Sequence, residues 1–139
     1  MIQTVDTEDL LHLDASAEIE RIASAVRTQV TARLRRKGIV IGLSGGIDSS
    51  VAAALCVRAL GAKRVLGLLM PEHDSSSDSE RLGRDFAAHL GVDCLLEPMG
   101  PVLEAAGCYR RRDEAIRSVV PNYGPGDKSK IVLPGVLDG

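Results

Sequence analysis

The feature that most constrains this sequence is a glycine- and serine-rich stretch between a short apolar run and a helix-compatible run. It reads Gly42-Leu43-Ser44-Gly45-Gly46-Ile47-Asp48-Ser49-Ser50, and we call it the glycine–serine loop. Residues 39–41 before it are apolar, and residues 51–60 after it favour a helix. Glycines let backbone N–H groups approach a ligand closely, and a helix N-terminus adds unpaired donors and partial positive charge. The loop therefore predicts an anion site, where Ser44, Ser49 and Ser50 add hydroxyl donors.

Asp48 is the only acid in the glycine–serine loop, and it has two interpretations. An acid beside a phosphate site indicates a metal ion held between the two. The alternative is an ordinary strand–turn–helix in which Asp48 or Ser49 caps the helix. The combination of glycines, hydroxyls and one acid between a buried strand and a helix favours the phosphate site.

The two commoner phosphate loops do not match. A Walker A loop needs a lysine that reaches the β- and γ-phosphates, and no lysine lies between Gly38 and Ala62. The dinucleotide fingerprint needs Gly-x-Gly-x-x-Gly, a spacing that Gly42, Gly45 and Gly46 do not form.

Composition limits the class of protein. With 139 residues the chain is expected to form one domain at most. A net charge of −2, one Phe, two Tyr and no Trp argue against nucleic-acid binding. Cys56, Cys94 and Cys108 lack C-x-x-C spacing and indicate reduced thiols. Without a signal peptide or an apolar run of membrane-spanning length, the chain is expected to be cytoplasmic and independent of membranes.

The apolar pattern predicts alternating helices and strands. Three strands are expected, at residues 39–43, 65–69 and 92–96. Three helices are expected around them, at residues 14–37, at 49–60 and from Ser77 to Gly91. Continuous apolar strands that alternate with helices are typical of a doubly wound parallel α/β sheet of Rossmann type. In such sheets ligands bind at the carboxyl edge, near the point where the strand order reverses.

The helix ends have their own signals. Asp14 or Ser16 is expected to cap the first helix, and a capping box of Ser77 and Glu80 the third. After Pro101 the pattern predicts helices at 102–106 and 110–120 and one further strand at 131–133. The expected organisation is a tail and amphipathic helix over 1–38, followed by an α/β domain over 39–139 that is incomplete at its C-terminus.

Two stretches carry a resemblance to a known family. Ser44-Gly45-Gly46-Ile47-Asp48-Ser49 resembles the SGGxDS loop of the PP-loop ATP pyrophosphatases, which cleave ATP between its α- and β-phosphates. The apolar strand ending in Met70-Pro71, the serine-rich stretch 74–79 and the helix ending in Leu90-Gly91 resemble the NAD synthetases within that superfamily. The resemblance covers roughly residues 37–106 and implies an adenine nucleotide alpha hydrolase-like fold.

The resemblance implies a reaction and a set of sites. Deamido-NAD would attack the α-phosphorus of ATP through its carboxylate, and ammonia would then displace AMP to give NAD. Asp48 would bind Mg²⁺, and Leu69 and Met70 would carry the adenosine. The ATP and pyrophosphate site would comprise Gly42, Leu43, Ser44, Gly45, Gly46, Ile47, Asp48, Ser49, Ser50, Leu69 and Met70. No side chain is assigned as a catalytic acid or base, because a carboxylate nucleophile is already ionised at neutral pH.

Other functions remain open at this stage. The chain could be another PP-loop enzyme, such as a GMP synthetase-like or a sulfur-inserting, tRNA-modifying one, the latter needing a catalytic thiol. It could also be an ATP-binding module without catalysis. A homodimer is expected by resemblance only.

Overall fold

The glycine–serine loop follows the first strand of a parallel β-sheet. The computed structural model describes residues 13–129, without the side chain of Ser77. In that range the sheet has three parallel strands in the order β1-β2-β3: β1 (Ile39–Gly42), β2 (Val65–Leu69) and β3 (Asp93–Leu96). The predicted parallel α/β sheet is confirmed. The strand β2 has the predicted bounds, while β1 ends one residue early and β3 starts one residue late.

Helices precede and separate the strands. α1 (Ala15–Arg27) continues as a π-helical turn (Thr28–Arg33) before β1. α2 (Ile47–Leu60) and a short 3₁₀ turn (Ala62–Arg64) connect β1 to β2, and α3 (Ser77–Leu90) connects β2 to β3. Asp14 caps α1 as predicted, because its Oδ1 accepts a hydrogen bond of 3.0 Å from the N–H of Ala17.

The predicted start of α2 and the predicted cap of α3 are wrong. α2 begins two residues earlier than predicted, and its N-cap is Gly46, so neither Asp48 nor Ser49 caps it. α3 is capped by Ser76 rather than by a box of Ser77 and Glu80. Ser76 has the extended backbone that an N-cap requires, and its Oγ accepts a hydrogen bond of 3.2 Å from the N–H of Ser79.

The core lies on one face of the sheet. One cluster of buried side chains joins strand ends and helices beneath the glycine–serine loop: Leu43, Ala53, Leu69 and Ala87. A second cluster lies toward the other edge: Cys56, Val65 and Val92. Since strand side chains alternate between faces, Val40 and Leu95 project from the opposite face, where they are 61% and 56% exposed. Within residues 13–98 the strand order does not reverse.

The chain divides into two compact units, one ending at Pro98 and the other beginning at Met99. In the second unit α4 (Gly100–Ala105) packs against α5 (Cys108–Arg117), each beginning two residues before its prediction. The predicted strand at 131–133 lies outside the described residues, and the predicted boundary after residue 38 stays a prediction. Over residues 13–129, no helix combines the length and the apolar character required to cross a membrane.

Candidate functional site

The backbone of the glycine–serine loop turns from β1 into α2 within a few residues. Leu43 is buried, and its N–H donates to the carbonyl of Leu68 over 2.9 Å, which continues the sheet by one bond. Gly45 has a φ of +76°, in the left-handed region that favours glycine. Gly46 returns to an extended conformation and is the N-cap of α2. The loop therefore places the N-terminus of α2 at the carboxyl edge of the sheet.

Gly45 is required at its position for a second reason. A Cβ atom at Gly45 would lie 2.6 Å from the carbonyl oxygen of Ser79 and 3.1 Å from the Cβ of Leu82, both at the start of α3. The loop backbone thus rests directly against the first turn of α3.

The three serine hydroxyls hold the loop together. Ser49 and Ser50 both donate to the carbonyl of Gly46, over 2.9 and 3.0 Å. The Oγ of Ser49 accepts from the N–H of Ser44 at 3.2 Å and lies 3.1 Å from the Oγ of Ser44. The N–H of Gly46 donates to Ser44 Oγ over 3.3 Å. The hydroxyls predicted as ligand donors therefore bond within the loop and stabilise its shape.

Backbone N–H groups are the donors that the loop leaves available. Ile47, Asp48 and Ser49 form the first turn of α2, where N–H groups have no partner within the helix. Within residues 13–129, these N–H groups and that of Gly45 have no hydrogen-bond acceptor. Such a cluster at a helix N-terminus is suited to an anion with several oxygens.

Asp48 extends into solvent from the same turn, and no described residue bonds its carboxylate. Within residues 13–129 there is no group of three or more His, Cys, Asp or Glu side chains that could hold a metal ion. A single carboxylate does not fit a metal enclosed by protein ligands. It fits Mg²⁺, which is commonly bound by one or two carboxylates together with phosphate oxygens and water.

A small cavity opens beside the loop at the carboxyl edge. Its volume is about 150 Å³, and its lining comes from the glycine–serine loop, the end of β2, the loop after β2 and the first turn of α3: Leu43, Ser44, Leu69, Met70, Pro71, Ser75, Ser79 and Glu80. The side chain of Leu69 belongs to the core, with 1% exposed, whereas Met70 is 46% exposed and its Cε lies over Gly42. Of the two predicted adenosine residues, only Met70 has a side chain that a ligand can reach.

The amino edge of the sheet carries a larger cleft, of about 780 Å³. Four cations line it, Arg36, Lys37, Lys63 and Arg64, together with a single acid, Asp93. None of the four cations is ion-paired with a residue in the range 13–129.

The environment of Cys56 does not fit a catalytic thiol. Cys56 is buried on α2 between Val65 and Val92, and burial raises the pKa of its thiol. A raised pKa is the opposite of what a catalytic thiol needs, because the thiolate is the nucleophile.

Comparison with known proteins gives a family. A family model described as NAD synthase matches residues 18–120, which include the whole glycine–serine loop and the loop after β2. The chain belongs to the NAD synthase family. The resemblance seen in the two sequence stretches is thereby confirmed.

Curated relatives of the chain are NH3-dependent NAD+ synthetases. That of Mesorhizobium japonicum is 60% identical over 93% of this chain and 40% of the relative. That of Rhizobium meliloti is 53% identical over 97% of this chain and 40% of the relative. The chain thus spans about 40% of the length of these relatives.

Solved structures of the same family share the fold. The NH3-dependent NAD synthetase of Campylobacter jejuni matches with a TM-score of 0.64 and 26% identity, over 79% of this chain and 50% of that one. The glutamine-dependent NAD+ synthetase of Acinetobacter baumannii, in complex with ADP, matches with a TM-score of 0.63 and 28% identity, over 83% of this chain and 20% of that one. These likenesses confirm the Rossmann-like α/β class.

Sequence reasoning missed part of the site. Ser75, Ser79 and Glu80 line the cavity, and Gly83 lets α3 approach β2, since a Cβ there would lie 2.6 Å from Leu69 Cδ2. The serine-rich composition after β2 and its position at the same sheet edge were the available signals.

Proposed function

We propose that this protein is an ATP-dependent, AMP-forming amide ligase that makes NAD from deamido-NAD and ammonia, and that this chain is its ATP-binding part. The observation that carries the proposal is the cluster of four available N–H groups at the start of α2, next to Asp48. Because the chain spans about 40% of its curated relatives, we propose the activity for the whole protein and ATP binding for the chain itself.

The loop would hold the β- and γ-phosphates. The N–H groups of Gly45, Ile47, Asp48 and Ser49 would donate to phosphate oxygens, and Ser44, Gly46 and Ser50 would keep the loop in shape. Fixed donors of this kind stabilise charge that develops on a leaving group without reorganisation. Asp48 would hold Mg²⁺, which would supply charge stabilisation for the departing pyrophosphate.

The nucleoside would lie toward the cavity. Met70 at the carboxyl end of β2 would contact the adenosine, as in the sequence-based assignment, while Leu69 would contribute backbone only. The relative from Acinetobacter baumannii was solved with ADP, which supports adenine-nucleotide binding in this family.

The reaction would balance in two steps. A carboxylate oxygen of deamido-NAD forms a bond to the α-phosphorus while the bond to pyrophosphate breaks. Ammonia then attacks the activated carbonyl carbon, AMP leaves, and the nitrogen loses a proton to solvent. The first step needs no general base, because the attacking carboxylate is already ionised.

The product pattern tests the reaction. The whole protein, incubated with ATP, deamido-NAD, ammonium and Mg²⁺, is expected to yield AMP, pyrophosphate and NAD in equal amounts, as measured by chromatography. Formation of ADP and phosphate would contradict the proposal. For the chain alone, titration calorimetry with Mg²⁺–ATP is expected to show binding, and the absence of heat would contradict the ATP site.

We also propose an oligomeric state and a cellular location for the whole protein. We propose a homodimer by family resemblance, which sedimentation equilibrium tests. We propose the cytoplasm as the location because Cys56, Cys94 and Cys108 are free thiols; fractionation of cells tests this.

A further inference from the structure

The first turn of α3 forms one wall of the glycine–serine loop. Gly45 approaches the backbone of Ser79 so closely that an added Cβ would lie 2.6 Å from its carbonyl oxygen and 3.1 Å from its Cα. Gly45 also supplies one of the four available N–H groups. A displacement of Ser79 would therefore move a donor of the proposed phosphate site.

The side chain that keeps Ser79 in place is Ser76. Its Oγ accepts from the N–H of Ser79 at 3.2 Å and lies 2.9 Å from the Oγ of Ser79. The carbonyl of Ser76 also accepts from the N–H of Ser79, over 3.1 Å. Without the Ser76 hydroxyl, the first turn of α3 would lose its side-chain cap.

The rest of α3 is held in another way. Gly83 and Ala87 follow Ser79 at intervals of four residues and share its helix face. Ala87 is buried in the core with Leu43 and Leu69, and Gly83 lies in close contact with the Leu69 side chain. Core packing thus fixes the middle of α3, whereas its first turn depends on the cap.

We infer that Ser76 is a positioning residue for the glycine–serine loop, acting through Ser79 on Gly45. Ser76 needs no contact with the nucleotide for this role. The consequence for binding rests on the proposed function, since it concerns the affinity of the loop for ATP. The consequence for loop geometry holds for the free protein.

The test compares two N-cap variants. Ser76→Ala is expected to weaken Mg²⁺–ATP binding by about fivefold or more, a typical coupling between sites. Asp14→Ala removes the cap of α1 and is the matched control, because it lowers the thermal midpoint without touching α3. Ser76→Asn keeps an acceptor at the cap and is expected to restore the affinity.

A second measurement does not depend on ATP. Amide hydrogen exchange at Gly46 and Ser50, whose N–H groups are hydrogen-bonded within the loop, is expected to accelerate in the free Ser76→Ala protein and to stay unchanged in Asp14→Ala. If exchange and ATP affinity both stay at the wild-type values in Ser76→Ala, the positioning role is wrong. If the wild type binds no ATP but Ser76→Ala accelerates loop exchange, the proposed function fails and the positioning role stands.

Discussion

The two edges of the sheet present two different kinds of concave surface. The amino edge has the larger cleft, about 780 Å³, lined by four cations without ion-pair partners in the described range. The carboxyl edge has a cavity of about 150 Å³ whose lining includes one acid, Glu80, and no Lys or Arg. Size and charge alone would select the amino edge as the anion site.

Rigidity of the donors favours the carboxyl edge. Lys37, Lys63 and Arg64 end in long side chains that must be ordered before they hold a ligand, and this ordering has an entropic cost. The N–H groups at the start of α2 are already fixed by the helix and by the serine bonds within the loop. Preorganised dipoles of this kind suit a reaction that must stabilise a leaving phosphate.

Both edges also contain a glycine pressed against a carbonyl oxygen. A Cβ at Gly38 would lie 2.5 Å from the carbonyl of Arg64, and one at Gly45 would lie 2.6 Å from that of Ser79. Only Gly45 has a positive φ and leads into a helix. A glycine in close contact with a carbonyl oxygen is therefore by itself only a packing feature. At Gly45 the contact also positions backbone N–H groups at the start of α2.

The largest expected effect comes from a matched pair of glycine variants. Gly45→Ala should lower the free energy of unfolding by about 2–4 kcal/mol, from positive φ and overpacking together. It should also weaken ATP binding by about 100-fold or more, since the N–H groups are displaced. Gly38→Ala should destabilise the fold by about 1–3 kcal/mol and leave ATP affinity unchanged. Denaturant unfolding measures the free energy of unfolding, and calorimetry measures the ATP affinity. Equal losses of affinity in the two variants would contradict the assignment of ATP binding to the carboxyl edge.

A smaller effect is expected from two acids, Asp48 in the glycine–serine loop and Asp93 in the amino-edge cleft. Asp48→Asn should weaken ATP binding about tenfold in the presence of Mg²⁺, through loss of a charged metal ligand, and should change little in EDTA. Asp93→Asn, at the amino edge, should have no effect under either condition. A loss of affinity in Asp48→Asn that persists in EDTA would show that the carboxylate acts without a metal ion.

The core toward the amino edge contains a pH-sensitive group. Burial raises the pKa of Cys56 above that of an unfolded thiol, so the unfolded chain loses this proton first as the pH rises. The contribution of the protonated Cys56 thiol to the stability of the folded state is therefore fully present below the ordinary thiol pKa of about 8.5. It declines as the pH rises above that value. The thermal midpoint of the wild type should therefore fall between roughly pH 8.5 and 10 more steeply than that of Cys56→Ala. Parallel slopes would contradict the burial effect.

The smallest effect is expected from the cations of the amino edge. Lys63→Gln combined with Arg64→Gln should change ATP affinity by less than about twofold, because the carboxyl edge alone would hold the phosphates. Calorimetry at low ionic strength gives the most sensitive comparison. A tenfold loss would place the nucleotide at the amino edge.

Prediction from sequence worked best where the signal was local. The run Val65–Leu69 is continuously apolar and is followed by Met70-Pro71, and its predicted bounds match β2. The helix starts were less predictable. Ser76 and Ser77 are both good caps by composition, and the structure selects Ser76, whose Oγ bonds the N–H of Ser79. At the other helix start, Gly46 precedes Asp48 and Ser49, and backbone geometry rather than a side chain sets the first turn.

The sequence alone determined the order of strand, loop and helix, the glycines that the turn requires, and the resemblance that the family match confirmed. It could not determine which way the serine hydroxyls point, because each can bond a ligand or the loop itself. Tertiary structure decided that Ser44, Ser49 and Ser50 bond within the loop, leaving backbone N–H groups as the available donors. It also decided that α3 supports Gly45, a contact between residues 34 positions apart in the chain that no local pattern encodes.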